Sequence, residues 1–123
     1  MSAEQKLIFV YGTLKRGYSN HHYLAGQQFL GEARTSPGFR LHDLGGYPGM
    51  VAHAGDREGV SGEVWSVDAD ALTHMDGLEG LAEGLYRRAT IILLPPFAGQ
   101  KIEAYFYARP LGGKKEVGAV WKE

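Results

Sequence analysis

Short runs of hydrophobic residues, most of them bounded by glycine, predict a chain in which β-strands dominate. The first run, Leu7–Tyr11, is β-branched and aromatic and ends at Gly12, as expected for a buried strand. Val60–Val67 alternates between apolar and polar residues and therefore predicts a half-buried strand. Because Arg88–Leu94 ends in a continuous apolar run, we expect it to be a central strand. Further strands are predicted at Phe29–Thr35, Phe39–Leu44, Met50–His53 and Lys101–Ala108.

One α-helix is predicted directly after residue 67. Asp68 is suited to cap its amino terminus, because an aspartate carboxylate accepts hydrogen bonds from the free amides of the first turn. Leu72, Met75 and Leu78 follow at helical spacing and predict one apolar face toward the core. The helix is expected to end near Glu79, since glycine occupies positions 77 and 80.

Together these elements predict an α+β fold. Six or seven strands and one or two short helices, the second over residues 21–27, are expected to form a curved mixed sheet or a small barrel. A chain of 123 residues has room for one core, so we expect a single domain over residues 1–123. Its core is predicted at about residues 7–108, and the glycine- and lysine-rich tail at residues 109–123 is expected to be irregular.

Charge and composition exclude several classes of protein. Thirteen basic and 14 acidic residues give a net charge of −1, which provides no electrostatic basis for binding nucleic acid or an anionic membrane. No cysteine is present, so disulfides, thiolate metal sites and cysteine nucleophiles are excluded. No apolar run approaches the roughly 20 residues of a membrane span. We therefore expect a cytoplasmic protein, and its oligomeric state stays open.

The histidines do not indicate a metal site. His21 and His22 are adjacent, so on a helix their side chains diverge by about 100°. The other histidines are isolated, and the spacings typical of metal ligands are absent. There is also no Gly-x-Ser-x-Gly motif, which argues against an acyl-enzyme mechanism. We expect no metal and no cofactor.

Several segments, in order along residues 7–108, together carry a resemblance to a known family. They are Tyr11–Gly17 directly after the first strand, Asn20–Leu24, Gly46–Met50, Val60–Trp65, Leu72–Gly80 followed by Tyr86–Arg88, and Ala104–Tyr107. Their order and spacing resemble the γ-glutamylcyclotransferase-like family, which includes the γ-glutamylamine cyclotransferases. Met75 stands where the family usually has leucine, an exchange that preserves side-chain volume.

The resemblance implies that family's fold and a metal-independent intramolecular aminolysis. In this reaction the α-amine of a γ-glutamyl amide attacks its own γ-carbonyl carbon and releases 5-oxoproline and an amine or amino acid. The resemblance makes Glu79 the acid–base catalyst, and Tyr86 and Arg87 are expected to hold its segment in place. It implies substrate-binding positions at Tyr11, Gly12, Thr13, Leu14 and Tyr107.

Taken one by one, the same residues leave simpler interpretations open. Glu79 alone is typical of a solvated glutamate at a helix end, and Gly12 of an ordinary turn after a strand. Tyr107 fits an aromatic packed in a sheet equally well. Lys15 and Arg16 are kept outside the site, because a charged pair in a loop is usually solvated. A non-catalytic member of the fold that binds a small γ-glutamyl or carboxylate ligand is the alternative function.

Overall fold

The computed structural model describes residues 5–123, and short β-strands account for most of its regular structure. Within this range the chain forms eight strands, one α-helix and a 3₁₀ turn. The strands are β1 (Lys6–Val10), β2 (Gln28–Arg34), β3 (Phe39–Asp43), β4 (Pro48–Ala52), β5 (Ser61–Val67), β6 (Tyr86–Ile91), β7 (Ile102–Tyr107) and β8 (Glu116–Gly118). The helix α1 spans Ala69–Leu78, and the 3₁₀ turn spans His21–Leu24.

The strands form two sheets. The larger has the order β2-β5-β1-β7-β6, in which β1 and β7 run parallel and the other neighbours antiparallel. The smaller sheet is antiparallel and has the order β4-β3-β8. After β6, Leu93 pairs with Thr35 just beyond β2, so the outer strands of the larger sheet approach each other and the sheet curls. The predicted α+β fold with a curved mixed sheet is confirmed.

The larger sheet is covered on both faces. Phe9 of β1 packs toward the smaller sheet, where it shares an apolar core with Leu41 and Met50. Ile8 faces the other way and shares a second core with Met75 of α1. None of these side chains is exposed, and burying each stabilises the fold by about 1.5–3 kcal/mol. Because neighbouring residues of a strand face opposite sides, a strand between two cores is apolar at nearly every position.

The predicted helix is confirmed, and two neighbouring boundaries differ. The carboxylate of Asp68 accepts from the amide of Ala71 at 2.9 Å and caps α1 as expected. The helix predicted over residues 21–27 is only the 3₁₀ turn His21–Leu24. The strand predicted from Met50 begins earlier, at Pro48, because a proline is tolerated at the first position of a strand.

The prediction of a half-buried strand at residues 60–67 is wrong. β5 lies between β2 and β1, and every residue after its first is buried. Its charged residue is buried because it has partners: Glu63 accepts from the backbone amide of Arg16 and from the indole nitrogen of Trp65, both at 3.1 Å. Glu63 therefore holds the loop that contains Arg16 in place, and its presence in β5 does not indicate a solvent-facing side of the strand.

The central strand predicted at Arg88–Leu94 is also wrong. β6 begins earlier and forms the edge of the larger sheet. After Ile91 the chain no longer pairs with β7 and turns toward the end of β2. Beyond this bend Leu93 is buried, whereas Ile92 is 69% exposed. The apolar run therefore reflects two different pairings, one on each side of a bend.

The tail at residues 109–123 is part of the fold, contrary to the expectation of an irregular segment. β8 pairs with β3, and Trp121 is buried in the core between the sheets. The ammonium of Lys15 donates to the carbonyl of Trp121 at 2.9 Å and is buried, whereas a solvated side chain was expected. The core therefore extends past the predicted limit at residue 108.

We expect Trp121→Ala to lower the free energy of unfolding by about 3 kcal/mol or more, because it leaves a large cavity in a packed core. Val120→Ala is the matched control. Its side chain is 39% exposed, so its effect should stay within about 0.5 kcal/mol. Urea denaturation followed by circular dichroism measures both. Equally small effects for the two variants would contradict an anchoring role for the tail.

Candidate active site

A cavity of about 310 Å³ opens where the two sheets and the end of the helix meet. Its walls come from the loop after β1, the turn before β4, the end of α1, the start of β6 and the middle of β7. The lining residues are Phe9–Leu14, Ser19, Asn20, Gly46–Pro48, Leu78, Glu79, Leu85, Tyr86 and Tyr105. The structure thus brings Glu79 together with residues 11–14, as the sequence predicted.

The end of α1 fixes the position of Glu79. The residues that follow form a Schellman turn: the amide of Leu81 donates to the carbonyl of Asp76, and the amide of Gly80 to the carbonyl of Gly77, both at 3.2 Å. Gly80 has φ +65°, a left-handed conformation that glycine adopts without strain. The two flanking glycines therefore end the helix in a defined way, and Glu79 is held as the last residue before the turn.

The carboxyl group of Glu79 is half-buried and unpaired. Among residues 5–123 it has no hydrogen-bond or ion-pair partner, although its own amide bonds to the carbonyl of Met75. Burial, and secondly the negative charge of Asp76, raise the pKa of Glu79 to about 7. These surroundings differ from those of a fully solvated glutamate at a helix end.

Tyr11 contributes its ring and backbone to the cavity, while its hydroxyl is used within the protein. This hydroxyl donates to the carbonyl of Tyr105 at 2.7 Å and accepts from the amide of Met50 at 3.1 Å. Burial, and then the charge of Glu79, raise the pKa of Tyr11 well above its ordinary value. Tyr11 is therefore a neutral cross-link between the two sheets.

The loop after Tyr11 presents backbone amides to the cavity. The amides of Gly12, Thr13 and Leu14 have no acceptor among residues 5–123. The loop is nevertheless held firmly: the side-chain amide of Asn20 donates to the hydroxyl of Thr13 at 3.0 Å, and a ring nitrogen of His21 lies 3.0 Å from the carbonyl of Leu14. The three amides therefore belong to a firmly held loop that lines the cavity, and none of them is bonded within residues 5–123.

Gly12 is needed for close packing against a neighbouring turn. It is not among the glycines with positive φ. A Cβ atom at this position would lie only 2.7 Å from Cγ of Pro48. Gly12 therefore lets the loop approach the turn before β4, which forms the opposite wall of the cavity.

Tyr107 does not line the cavity, contrary to expectation. Its ring packs edge-on against Tyr86 at 5.7 Å, and its Cβ lies 2.9 Å from the place a Cβ of Gly49 would occupy. Tyr105, two residues earlier on the same face of β7, lines the cavity instead. Strand periodicity alone predicts both tyrosines equally well, so this choice could not be made from the sequence.

Of the two residues expected to support the Glu79 segment, Tyr86 lies at the site and Arg87 does not. The hydroxyl of Tyr86 donates to the carbonyl of Pro48 at 2.6 Å, and its ring lines the cavity. Arg87 is exposed and stacks over the ring of Phe106. Arg88 takes the supporting role, because it bonds to both carboxylate oxygens of Asp76.

Among residues 5–123, no group of three or more histidine, aspartate or glutamate side chains lies close enough together to hold a metal ion. In the same part of the chain, no helix has the length and apolar character needed to cross a membrane. The geometry describes a small-molecule cavity with one titratable carboxyl group on a curved α+β fold.

Comparison with known proteins gives the family. The sequence model of the family described as gamma-glutamyl cyclotransferase, AIG2-like, matches residues 8–122. A Vibrio cholerae protein, provisionally named a gamma-glutamylcyclotransferase, is 48% identical over 71% of this chain and 72% of its own length. The solution structure of YtfP from Escherichia coli is 35% identical and covers 92% of both chains with a TM-score of 0.67. An AIG2-like protein from Mus musculus is 29% identical, covers 86% of this chain and 78% of its own, and has a TM-score of 0.69. The chain belongs to the γ-glutamylcyclotransferase, AIG2-like family.

The raised pKa of Glu79 predicts a pH-dependent effect of Glu79→Gln on stability. The folded-state pKa of about 7 exceeds the ordinary value of 4.5, so wild-type stability is lost as the pH rises from 4.5 through 7. Glutamine does not ionise in this range, so the variant does not lose stability in this way. We therefore expect it to be more stable than wild type by about 1–3 kcal/mol at pH 8 and equally stable at pH 4.

Urea denaturation at both pH values measures this difference, and Glu83→Gln is the control because Glu83 is exposed. A gain at pH 8 for the control alone, or an equal gain for both variants, would contradict a buried and unpaired Glu79.

Proposed function

We propose that the protein is a γ-glutamylcyclotransferase that acts on a small γ-glutamyl amide. The α-amine of the substrate attacks the γ-carbonyl carbon, a carbon–nitrogen bond forms, the amide bond breaks, and 5-oxoproline and an amine or amino acid leave. The observation that carries the proposal is the unpaired Glu79 carboxyl in the same cavity as the free amides of residues 12–14. Membership of the family supports it.

Glu79 carries the proton in this reaction. Its carboxylate accepts a proton from the attacking amine, and the resulting acid donates that proton to the departing nitrogen. A group that does both works best when its pKa is close to the working pH, because neither transfer is then strongly uphill. A pKa of about 7 for Glu79 meets this requirement.

The amides of Gly12, Thr13 and Leu14 bind negative charge. During the attack the carbonyl oxygen becomes an oxyanion, and fixed backbone donors stabilise such a charge without reorganising. The same row of amides also suits the α-carboxylate of a γ-glutamyl group. Neither proton transfer requires a metal ion or an organic cofactor, so the proposal includes none.

A purely ligand-binding member of the fold is less well supported. An unpaired carboxylate in a cavity destabilises the folded protein when ionised. A protein that moves a proton has a use for such a group, because a pKa of about 7 suits both of the proposed proton transfers.

Glu79→Gln is expected to lower turnover by about 100-fold or more, because the amide preserves the shape but cannot accept a proton. A panel of γ-glutamyl amino acids and γ-glutamyl amines, scored for 5-oxoproline, first identifies the substrate. The variant should still bind 5-oxoproline, and Glu83→Gln should retain wild-type turnover. Near-normal turnover in Glu79→Gln would remove Glu79 from the mechanism, and binding without turnover in wild type would favour the ligand-binding alternative.

The rate should rise with pH through neutrality. Glu79 must begin ionised, and the substrate amine, with a typical pKa of about 8, must lose its proton. Both requirements fail as the pH falls below the pKa of about 7 for Glu79. We expect kcat/KM to increase from pH 5.5 to about pH 8 and then to level off or decline. A maximum near pH 5 would contradict an amine nucleophile and indicate hydrolysis by water.

A further inference from the structure

A network of charged residues lies directly behind the cavity wall. Arg88 of β6 donates to both carboxylate oxygens of Asp76 on α1 and, at 3.1 Å, to the carboxylate of Glu103 on β7. The hydroxyl of Tyr105 donates to Asp76 at 2.7 Å. Asp76 is therefore held by two donors from two strands, while the Tyr105 ring between them lines the cavity.

Asp76 and Glu79 are neighbours on the helix. They lie three residues apart in the last turn of α1, a spacing that places two side chains on the same face. The Schellman turn also links the two positions, since the carbonyl of Asp76 accepts from the amide of Leu81. The backbone of both residues is thus held by the same helix end.

Apart from burial, the charge of Asp76 is the influence that raises the pKa of Glu79. The other titratable residues of the cavity are tyrosines, from the loop after β1, the turn before β4, β6 and β7, and phenols ordinarily ionise near pH 10. Burial raises the pKa of Tyr11, Tyr86 and Tyr105 further. Glu83, in the loop after α1, is exposed and lies outside the cavity lining.

We propose that Asp76 is a positioning residue whose negative charge, held in place by Arg88 and Tyr105, adds to the effect of burial and makes the Glu79 carboxylate a stronger base toward the substrate amine. Arg88 matters to this arrangement because it bonds both carboxylate oxygens of Asp76 and so holds them in place. Tyr105 directs its only hydroxyl hydrogen to Asp76, so it leaves Glu79 unpaired. This inference rests on the proposed role of Glu79 as proton carrier.

The test compares two variants that remove the same charge from the same network. Asp76→Asn removes the charge beside Glu79, and Glu103→Gln removes the charge on the far side of Arg88. The titration midpoint of Glu79 is followed by NMR of ¹³C-glutamate-labelled protein without ligand, and Glu79→Gln assigns the signal. We expect the midpoint to fall by about one pH unit in Asp76→Asn and to stay unchanged in Glu103→Gln. The acid limb of kcat/KM should move by the same amount in Asp76→Asn alone.

An unchanged Glu79 midpoint in Asp76→Asn, or an equal shift in both variants, would overturn the inference. If Asp76→Asn fails to fold because Arg88 loses one of its two carboxylate partners, the double variant Asp76→Asn/Arg88→Gln removes both members of that pair and should show the same fall. Because the titration needs no turnover, it is independent of the proposed function. An active Glu79→Gln would refute the proton carrier while leaving the titration result intact.

Discussion

The cavity exists because two buried tyrosine hydroxyls join the sheets beside it. Tyr11 bonds to the carbonyl of Tyr105 in the larger sheet and to the amide of Met50 in the smaller one. Tyr86 of the larger sheet bonds to the carbonyl of Pro48 in the smaller. A buried polar group that loses its partner destabilises the fold by about 1–3 kcal/mol, so these bonds resist both collapse and separation of the walls.

These cross-links decide which polar groups a ligand meets. The hydroxyls of Tyr11, Tyr86 and Tyr105 are all engaged with protein partners, so none is free to neutralise Glu79. The carboxyl group of Glu79 therefore stays half-buried and without a bonded partner among residues 5–123. An unpaired carboxylate in such surroundings destabilises a folded protein, and groups of this kind concentrate at functional sites.

The parts of the site predictable from sequence are those with local causes. The helix end near Glu79 could be predicted because Gly80 permits the left-handed turn there, whereas the choice of Glu79 as a site residue came from the resemblance to the family. The burial of Glu63 on β5 could not, because its partner amide lies 47 residues away in the chain. The burial of Trp121 in the tail could not be predicted either, because it depends on contacts with parts of the chain that are distant in sequence. Tyr105 and Tyr107 share a strand face, and only the packing of the smaller sheet decides which one reaches the cavity.

Two carboxyl groups in one helical turn thus come to behave differently. Asp76 is bonded to the guanidinium of Arg88 and to the phenol of Tyr105. Glu79 has no such partners, and burial together with the charge of Asp76 favours the neutral form of its carboxyl group. Pairs of titratable groups with opposed environments take opposed roles in acid–base sites. The end of α1 therefore carries two carboxyl groups with different surroundings, one bonded by donors from two strands and one without a bonded partner among residues 5–123.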